Sequence, residues 1–339
     1  MRVFSGIQPS GGLHLGNYLG AVRQWLSPPL QGASCALFSV VDLHALTSPA
    51  RAGGPRLRAH TLEMSAALLA CGLTPGPRLH LFPQSAVRAH AELAWLLACQ
   101  TPLGRLQRMT QFKQKRGGGG GDAGSLGLLS YPVLQAADIM LYRATHVPVG
   151  EDQAQHLELA REAAVTANAA WPGAPGAPPL FPLPATLTLP LGARVMSLRD
   201  GRVKMSKSDP DDAARINMDD SADAIRAKVR GARTDSTPGF APLDAAARPE
   251  KANLVGLLAA VTGREPAAVA EAYAGASAVA FKEDLAEALE ATVGPVRARL
   301  ARLRGDWGAV EAVLRTGAEA AQEMAEETMR VVRERAGVY

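Results

Sequence analysis

Two short stretches of this sequence carry side chains suited to binding phosphate groups. Residues 11–17 are rich in glycine and end in HLGN (14–17), and far along the chain residues 204–208 read KMSKS. Glycine lets a backbone approach a ligand closely, and lysine attracts anions. A glycine-rich turn or a lysine-rich surface loop, taken separately, requires no ligand. Together the two stretches favour nucleotide chemistry.

The first stretch is predicted to connect a strand to a helix. Val3 and Phe4 are β-prone, residues 9–12 (PSGG) are typical of a turn, and apolar residues then recur at helical spacing from Leu15 to Leu26. The helix would begin at the HLGN residues. A helix N-terminus at this place would stabilise a bound anion.

Strands and helices alternate along the following residues. Residues 35–41 and 78–85 predict buried strands, and apolar spacing predicts helices over 57–73 and 89–99. This alternation predicts an α/β fold with a doubly wound parallel sheet. Such sheets bind ligands at the carboxyl ends of their strands. His44, just past the second strand, is therefore either a packing or capping residue or part of a site.

Asp138 lies on a helical face that is otherwise apolar. Leu134, Ala137 and Leu141 share this face at helical spacing. A buried carboxylate is costly unless other groups donate hydrogen bonds to it. Asp138 is therefore either bonded to a neighbouring residue or available to accept a hydrogen bond from a ligand N–H.

Two further segments could flank a site. Residues 148–153 (PVGEDQ) end a strand and place acidic residues at the start of a helix over 153–168, where capping alone would explain Asp152. Residues 101–116 carry five basic side chains and run into five glycines at 117–121. This basic segment is either a solvated helix face or a region that meets phosphates of a nucleotide or of RNA.

The chain beyond residue 209 is alanine-rich and predicted to be helical. An apolar stripe covers 281–303, which Gly294-Pro295 should interrupt or bend, and an amphipathic helix covers 309–335. Residues 172–190 are typical of a loop. We expect an α/β catalytic domain over 1–198 with a basic connective segment near 101–126, a KMSKS loop over 199–216, and a helical domain over 217–339.

Composition restricts the class of protein. The chain has 339 residues, of which 47% are hydrophobic and 20% charged, and its formal net charge of +4 permits a nucleic-acid partner without requiring one. The three cysteines lack disulfide or zinc spacing, so we expect reduced core residues. We find no candidate membrane span, signal peptide or dedicated metal-binding cluster. We expect an intracellular protein, or one that has lost a leader.

The HLGN and KMSKS stretches resemble the H-x-G-H and K-M-S-K-S signatures of class I aminoacyl-tRNA synthetases. Residues 5–11 (SGIQPSG), Asp138 and the PVGEDQ run narrow the resemblance to tryptophanyl-tRNA synthetases of the bacterial and organellar type. The resemblance implies a Rossmann-like catalytic domain and a helical anticodon-binding domain. It implies a ligase that activates L-tryptophan with ATP and transfers it to tRNA(Trp). It also implies Mg²⁺ on the pyrophosphate, a homodimer and no membrane partner.

The functional positions of that family carry over to matching residues of this chain. The catalytic positions are His14, Asn17, Lys204 and Lys207. The ATP-binding positions are Gln8, Ser10, Gly16, Asn17, Lys113, Gly150, Asp152, Met205, Ser206, Lys207 and Ser208. The tryptophan-binding positions are Phe4, Gly6, Gln8, His44, Tyr131, Gln135, Asp138, Val147, Val149 and Gln153. In this assignment Asp138 accepts the indole N–H, and Tyr131 and Gln153 hold the α-ammonium group.

Three other functions match parts of the pattern. A tyrosyl-tRNA synthetase shares both signatures but should carry a partner for a tyrosine hydroxyl. A silent paralogue acting as an RNA-binding module should have lost the KMSKS residues, and a small-molecule nucleotidyltransferase would need no helical domain.

Gln135, where the bacterial pattern has Met, and Thr145-His146 resemble the mitochondrial branch. They favour the mitochondrial matrix over the bacterial cytoplasm.

Overall fold

The sheet of the protein is entirely parallel in the part of the chain that the computed structural model describes, residues 1–9, 11–27, 30, 32–47, 55–116, 125–148, 153–187, 195–207 and 209–338. Within these residues its strands are β1 (Arg2–Ile7), β2 (Cys35–Val40), β3 (Leu79–Pro83), β4 (His146–Val147) and β5 (Ala185–Thr186). Their order is β3-β2-β1-β4-β5. The winding reverses between β1 and β4, and sheets of this kind bind ligands at that switch point.

Helices follow the strands along the chain. The first, α1, consists of Leu15–Asn17, a π-helical turn Tyr18–Val22 and Arg23–Trp25. The next are α2 (Asp42–Ala45), α3 (Pro55–Ala70), α4 (Ala89–Ala98), α5 (Leu103–Gln107), α6 (Thr110–Arg116), α7 (Leu126–Leu141) and α8 (Ala154–Ala170). A 3₁₀ turn, Gln84–Ala86, follows β3 directly. These elements place polar residues at the carboxyl edge of the sheet.

Successive strand residues pack on opposite faces of the sheet. Val3 and Leu81 belong to one buried core, which includes residues of α1 and α3, whereas Phe4 and Phe82 belong to a second core with α4, α7 and α8. An extended strand imposes this period of two. The sheet is covered on both faces, which explains why β2 is apolar almost throughout.

The described chain after residue 209 adds the helices α9 (Ala222–Arg230), α10 (Pro249–Thr262), α11 (Pro266–Ala272), α12 (Ala278–Arg304) and α13 (Trp307–Ala336). Ser221 caps α9, because its hydroxyl accepts a hydrogen bond from Ala224 N at 3.1 Å. α12 runs through Pro295 without a break. Pro295 faces solvent, and the buried stripe on the other side of the helix, which includes Val293 and Val296, fixes it by packing.

Helix α13 passes along the edge of the sheet beside β3. Its first part contributes Val310 and Leu314 to the first core, and its second part contributes Met329 to the second. Gly317 lies between the two parts, where a Cβ would sit only 2.1 Å from the carbonyl oxygen of Leu81. Since β3 ends the sheet, α13 covers an edge that would otherwise be open to pairing with another strand.

We predict that Gly317→Ala lowers the free energy of unfolding by about 2–4 kcal/mol, because α13 must move away from β3 to admit the methyl group. Gly256→Ala in α10 is the matched control, since a Cβ there meets no atom within 4 Å. The control should raise stability by about 0.5–1 kcal/mol. Urea unfolding measures the free energy of unfolding of both variants. Equal changes in this free energy would contradict the close approach of α13 to β3.

The predicted fold class, a Rossmann-like doubly wound parallel sheet followed by helices, is confirmed. Two local expectations are wrong: β5 lies inside the predicted loop at 172–190, and Cys99 is exposed while Cys35 is half-buried. Of the two outcomes expected at Gly294-Pro295, interruption does not occur, because α12 is continuous. The three cysteines are free. The domain boundaries stay predictions, and both cores contain residues from either side of residue 216. No described helix is long and apolar enough to cross a membrane.

Candidate active site

A cavity of about 470 Å³ opens at the carboxyl ends of β1 and β4. It therefore lies at the switch point of the sheet. The predicted tryptophan-binding residues that line it are Phe4, Gly6, Gln8, His44, Tyr131, Gln135, Asp138, Val147 and Gln153. The remaining one, Val149, lies outside the described residues. Residues from β1, α2, α7 and the start of α8 thus converge on one space of a size typical for a small ligand.

Asp138 is the buried acidic group of this cavity and is 1% exposed. His44 Nε2 lies 2.8 Å from its Oδ2, while Gln84 Nε2 and His90 Nδ1 lie 2.7 and 2.6 Å from its Oδ1. Burial by itself would raise the carboxyl pKa. The imidazoles of His90 and His44 outweigh burial and hold the pKa of Asp138 well below its usual range. Asp138 is therefore a carboxylate that accepts hydrogen bonds.

The other side of the cavity carries hydroxyl and amide groups. The Tyr131 hydroxyl donates to Gln111 Oε1 at 2.9 Å and lies 2.8 Å from His156 Nε2. Gln135 Nε2 donates to Gln153 Oε1 at 3.4 Å. Burial raises the pKa of Tyr131 to about 12, so its hydroxyl is neutral. These oxygens can accept hydrogen bonds from an ammonium group.

The two stretches that are predicted to bind phosphate meet at the start of α1. Leu15 N donates to Ile216 O at 2.8 Å, which joins the chain after the KMSKS residues to the first loop. Met205 is buried, and a Cβ at Gly16 would lie 3.5 Å from its Cβ. A Cβ at Gly11 would lie 3.4 Å from Lys207 Nζ. The Lys207 ammonium therefore lies against the glycine-rich loop.

His14 caps α1 as a neutral imidazole. Asn17 N donates to His14 Nδ1 at 3.3 Å, so the ring proton is on Nε2. Burial, followed by the positive charges of Lys207, Arg215 and Lys204, lowers the pKa of His14 to about 4. An uncharged N–H can donate to a phosphate oxygen, while the lysines supply the positive charge.

The lowered pKa of His14 predicts a specific loss of stability in acid. Between pH 6.5 and 4 the unfolded chain binds a proton at this position that the folded chain does not, so stability falls as pH falls through this window. From pH 7.5 to 4.5, the wild type should lose about 2 kcal/mol more than His14→Gln, which cannot titrate. Urea unfolding at both pH values measures this, and equal losses would show that His14 titrates normally.

The other predicted ATP-binding residues are placed as follows. Asn17 and Gln8 line the cavity, and Asn17 also belongs to the start of α1, so this residue links the two parts of the site. Lys204 and Ser206 are exposed on the KMSKS loop. Lys113 is exposed on α6, the helix that brings Gln111 to the cavity. Ser10, Gly150, Asp152 and Ser208 lie outside the described residues.

The sequence analysis missed four polar residues that contact the predicted ones: Gln84, His90, Gln111 and His156. Gln84 carries a signal, since it follows a strand whose carboxyl end should face the ligand. Gln111 stands within the basic segment and is uncharged, so the charge pattern does not distinguish it. His90 and His156 lie in amphipathic helices, and nothing in their spacing distinguishes them from packing residues.

Residues 1–294 match the family described as "tRNA synthetases class I (W and Y)". The chain is 49% identical to the tryptophan–tRNA ligase of Caulobacter vibrioides, over 100% of its own length and 96% of that protein. Its structure matches tryptophanyl-tRNA synthetase from Mycoplasma pneumoniae with a TM-score of 0.85 and 31% identity, covering 100% of this chain and 98% of that one. The enzyme from Campylobacter jejuni, complexed with ADP and tryptophan, gives a TM-score of 0.81 and 33% identity with both chains fully covered. The chain therefore belongs to the class I tRNA synthetases for tryptophan and tyrosine, and within them to the tryptophan–tRNA ligases.

These relatives are bacterial, and they give no support to the mitochondrial assignment that Gln135 and Thr145-His146 suggested. Gln135 has a local explanation. Its amide donates to Gln153, so a polar side chain is satisfied at this position of the cavity wall.

Proposed function

We propose that this chain activates L-tryptophan with ATP in the cavity at the switch point and then transfers the amino acid to tRNA(Trp). The observation that carries this proposal is the junction of two features: a cavity with a buried carboxylate, and a glycine-rich loop against which the Lys207 ammonium lies. Asn17 connects them, since it lines the cavity and forms part of the start of α1.

Tryptophan would bind with its indole ring at Asp138 and its α-ammonium group near Tyr131 and Gln153. The ring would pack among the remaining lining residues, Phe4, Gly6, Gln8, His44, Gln135, Val147 and Val149. Asp138 would accept the indole N–H. An amino acid without such a donor would leave this carboxylate without a full set of partners, and sites of this type reject analogues by about 10⁴- to 10⁵-fold.

ATP would bind with its phosphates at the start of α1. His14 and Asn17 would donate to phosphate oxygens, and Lys204 and Lys207 would meet the β- and γ-phosphates. Lys113 would assist from α6. The remaining proposed contacts are Gln8, Ser10, Gly16, Gly150, Asp152, Met205, Ser206 and Ser208.

The reaction needs positioning and charge stabilisation rather than an enzyme nucleophile. The tryptophan carboxylate attacks the α-phosphorus of ATP, and pyrophosphate leaves with the electron pair of the broken P–O bond. The terminal ribose hydroxyl of the tRNA then attacks the activated carbonyl and releases AMP. Lysine charge, a neutral imidazole donor and the start of α1 all stabilise negative charge on the phosphates.

Mg²⁺ would reach the site on the nucleotide. Among the described residues, no three His, Cys, Asp or Glu side chains form a group that could hold a metal ion. Phosphate oxygens and water are suitable ligands for this ion and would provide most of its coordination.

The partners beyond the small molecules follow from the family. The helical region over 217–339 would contact the tRNA anticodon, and two copies of the chain would form a homodimer. The bacterial sources of the relatives favour a bacterial cytoplasmic protein over a mitochondrial one.

Amino-acid-dependent exchange of pyrophosphate into ATP tests the proposal without tRNA. Tryptophan, tyrosine and phenylalanine are compared at equal concentration, and exchange should occur with tryptophan alone. Exchange with tyrosine would transfer the assignment to the tyrosine enzymes, which share both phosphate-binding stretches. Absence of exchange with all three would favour a non-catalytic RNA-binding role.

A further inference from the structure

A buried network of polar groups surrounds Asp138 on the side away from the cavity. Gln84 and His90 both contact Oδ1, are fully buried and do not line the cavity, whereas His44 contacts Oδ2 and does line it. A carboxylate has about four acceptor positions, and protein donors occupy three here. The remaining acceptor position is therefore on Oδ2, beside His44.

His90 is fixed between two oxygen atoms. Its Nδ1 lies 2.6 Å from Asp138 Oδ1, and its Nε2 lies 2.8 Å from the hydroxyl of Tyr142, which is also fully buried. The carboxylate is an acceptor only, so Nδ1 must carry the proton. In the neutral ring Nε2 then accepts from the Tyr142 hydroxyl. Asp138, His90 and Tyr142 thus form a hydrogen-bonded chain that leads away from the cavity.

A second contact ties together the two loops that supply donors to Asp138. Asp42, which follows β2 by two residues, accepts from Ser85 N at 2.9 Å through Oδ1 and from the Ser85 hydroxyl through Oδ2. Asp42 is the first residue of α2, the helix that carries His44, and Ser85 follows Gln84 directly. The clamp between Asp42 and Ser85 therefore fixes the ends of β2 and β3 relative to each other, and with them two of the donors to Asp138.

We propose that His90, supported by Tyr142 and together with Gln84, is a positioning residue for amino-acid selection: it holds Oδ1 of Asp138 so that Oδ2 stays ionised and turned toward the substrate. This inference rests on the proposed role of Asp138 as acceptor of the indole N–H. His90 touches no substrate and acts through Asp138.

Electrostatics agrees with this geometry. The ionisable groups that face Asp138 among the described residues are His44, His90 and Tyr142. Burial would raise the pKa of Asp138, and His90 is the largest influence that lowers it. Burial, and then the negative charge of Asp138, raise the pKa of Tyr142 well above its usual range, so Tyr142 stays a hydroxyl. A protonated Asp138 would present an O–H donor, which is a poor partner for an indole N–H.

Two substitutions of His90, each of which keeps a donor near only one of the two ring nitrogens, test the proposal. In His90→Asn the amide nitrogen stands near the position of Nδ1 and can still donate to Asp138, whereas in His90→Gln the amide reaches the position of Nε2 and keeps only the contact with Tyr142. Tryptophan-dependent pyrophosphate exchange is measured as kcat/KM for tryptophan and as KM for ATP. We expect His90→Gln to lower kcat/KM for tryptophan about 30-fold, with KM for ATP unchanged. His90→Asn should retain most of the activity.

Tyr142→Phe and Gln84→Met extend the test along the network. Tyr142→Phe keeps the ring and should lower kcat/KM for tryptophan only about threefold, because it removes a support of His90 and not a donor to Asp138. Gln84→Met removes one of the two donors to Oδ1 and should give about a tenfold loss. Both variants remain informative if a His90 variant fails to fold.

Asp138→Asn, measured in parallel, separates this inference from the proposed function. If Asp138→Asn keeps the full preference for tryptophan, the role of Asp138 fails. If that variant is defective while His90→Gln matches the wild type, or while His90→Asn and His90→Gln lose activity equally, the positioning role of His90 alone is overturned.

Discussion

Replacing Asp138 by asparagine is expected to lower kcat/KM for tryptophan by about 10²- to 10³-fold in pyrophosphate exchange. The amide has the shape of the carboxylate but carries two N–H donors. With its oxygen toward Gln84 and His90, the amide nitrogen replaces Oδ2 and faces His44 and the cavity. A donor then meets the indole N–H. The preference for tryptophan over phenylalanine should fall together with the rate, because phenylalanine loses no hydrogen bond.

Two further variants, Asp138→Ala and Asp235→Asn, separate the loss of amino-acid selection from a general loss of stability. Asp138→Ala leaves three buried donors without an acceptor, so it should lose discrimination and also lose about 3 kcal/mol or more of stability. Asp235 forms ion pairs with Arg248 and Lys251 away from the cavity. Asp235→Asn should affect stability while leaving the amino-acid preference intact. An unchanged ratio of tryptophan to phenylalanine activity in Asp138→Asn would remove Asp138 from the indole-binding role.

The second large effect is expected at Lys207. Lys207→Met should slow tryptophan activation by about 10²- to 10³-fold, because it removes a positive charge from the place where the phosphates gain negative charge. The Lys207 ammonium lies against the glycine-rich loop and not in the lining of the cavity. Tryptophan affinity, measured by equilibrium titration without ATP, should therefore stay within about twofold of the wild type.

Arg226→Met is the charge-matched control for Lys207→Met. Arg226 is exposed on α9 and pairs with Asp223, so its removal takes one positive charge from the same chain at a different place. Exchange should be unaffected in this control. A large loss of tryptophan binding in Lys207→Met, or an unchanged exchange rate, would contradict the phosphate role of Lys207.

The sequence predicted the parts of the fold that depend on local periodicity. The apolar runs of β1 and β2 and the spacing in α3, α4 and α7 each identify an element, because burial on one or both faces leaves a pattern in the chain. β5 was missed because its two residues, directly after Pro184, are too short a run to carry such a pattern. The π-helical turn in α1 was missed as well, since an extra residue in one turn scarcely alters apolar spacing.

The candidate site was predictable where a residue stands in a short motif or against its local pattern. Asp138 stands out in the sequence because a carboxylate on an apolar stripe requires hydrogen-bond donors. In the structure His44, Gln84 and His90 contact it and offset the cost of burying the carboxylate. Those partners come from three separate segments. Their meeting depends on the order of the strands and on the packing of α4 against α7, which no local pattern encodes. The neutral state of His14 likewise arises from burial and from distant lysines.

The path of α13 bears on how this protein folds during synthesis. Translation proceeds at about 5 to 20 residues per second, so α13 follows β3 with a delay on the order of 10 to 50 s. Until α13 emerges from the ribosome, the β3 edge is uncovered and each core lacks residues that α13 supplies. The nascent chain therefore carries an open strand edge for most of its synthesis, and such an edge is a place where another chain can pair. The β3 edge is covered, and both cores receive their last residues, only after translation has passed the last turn of α13.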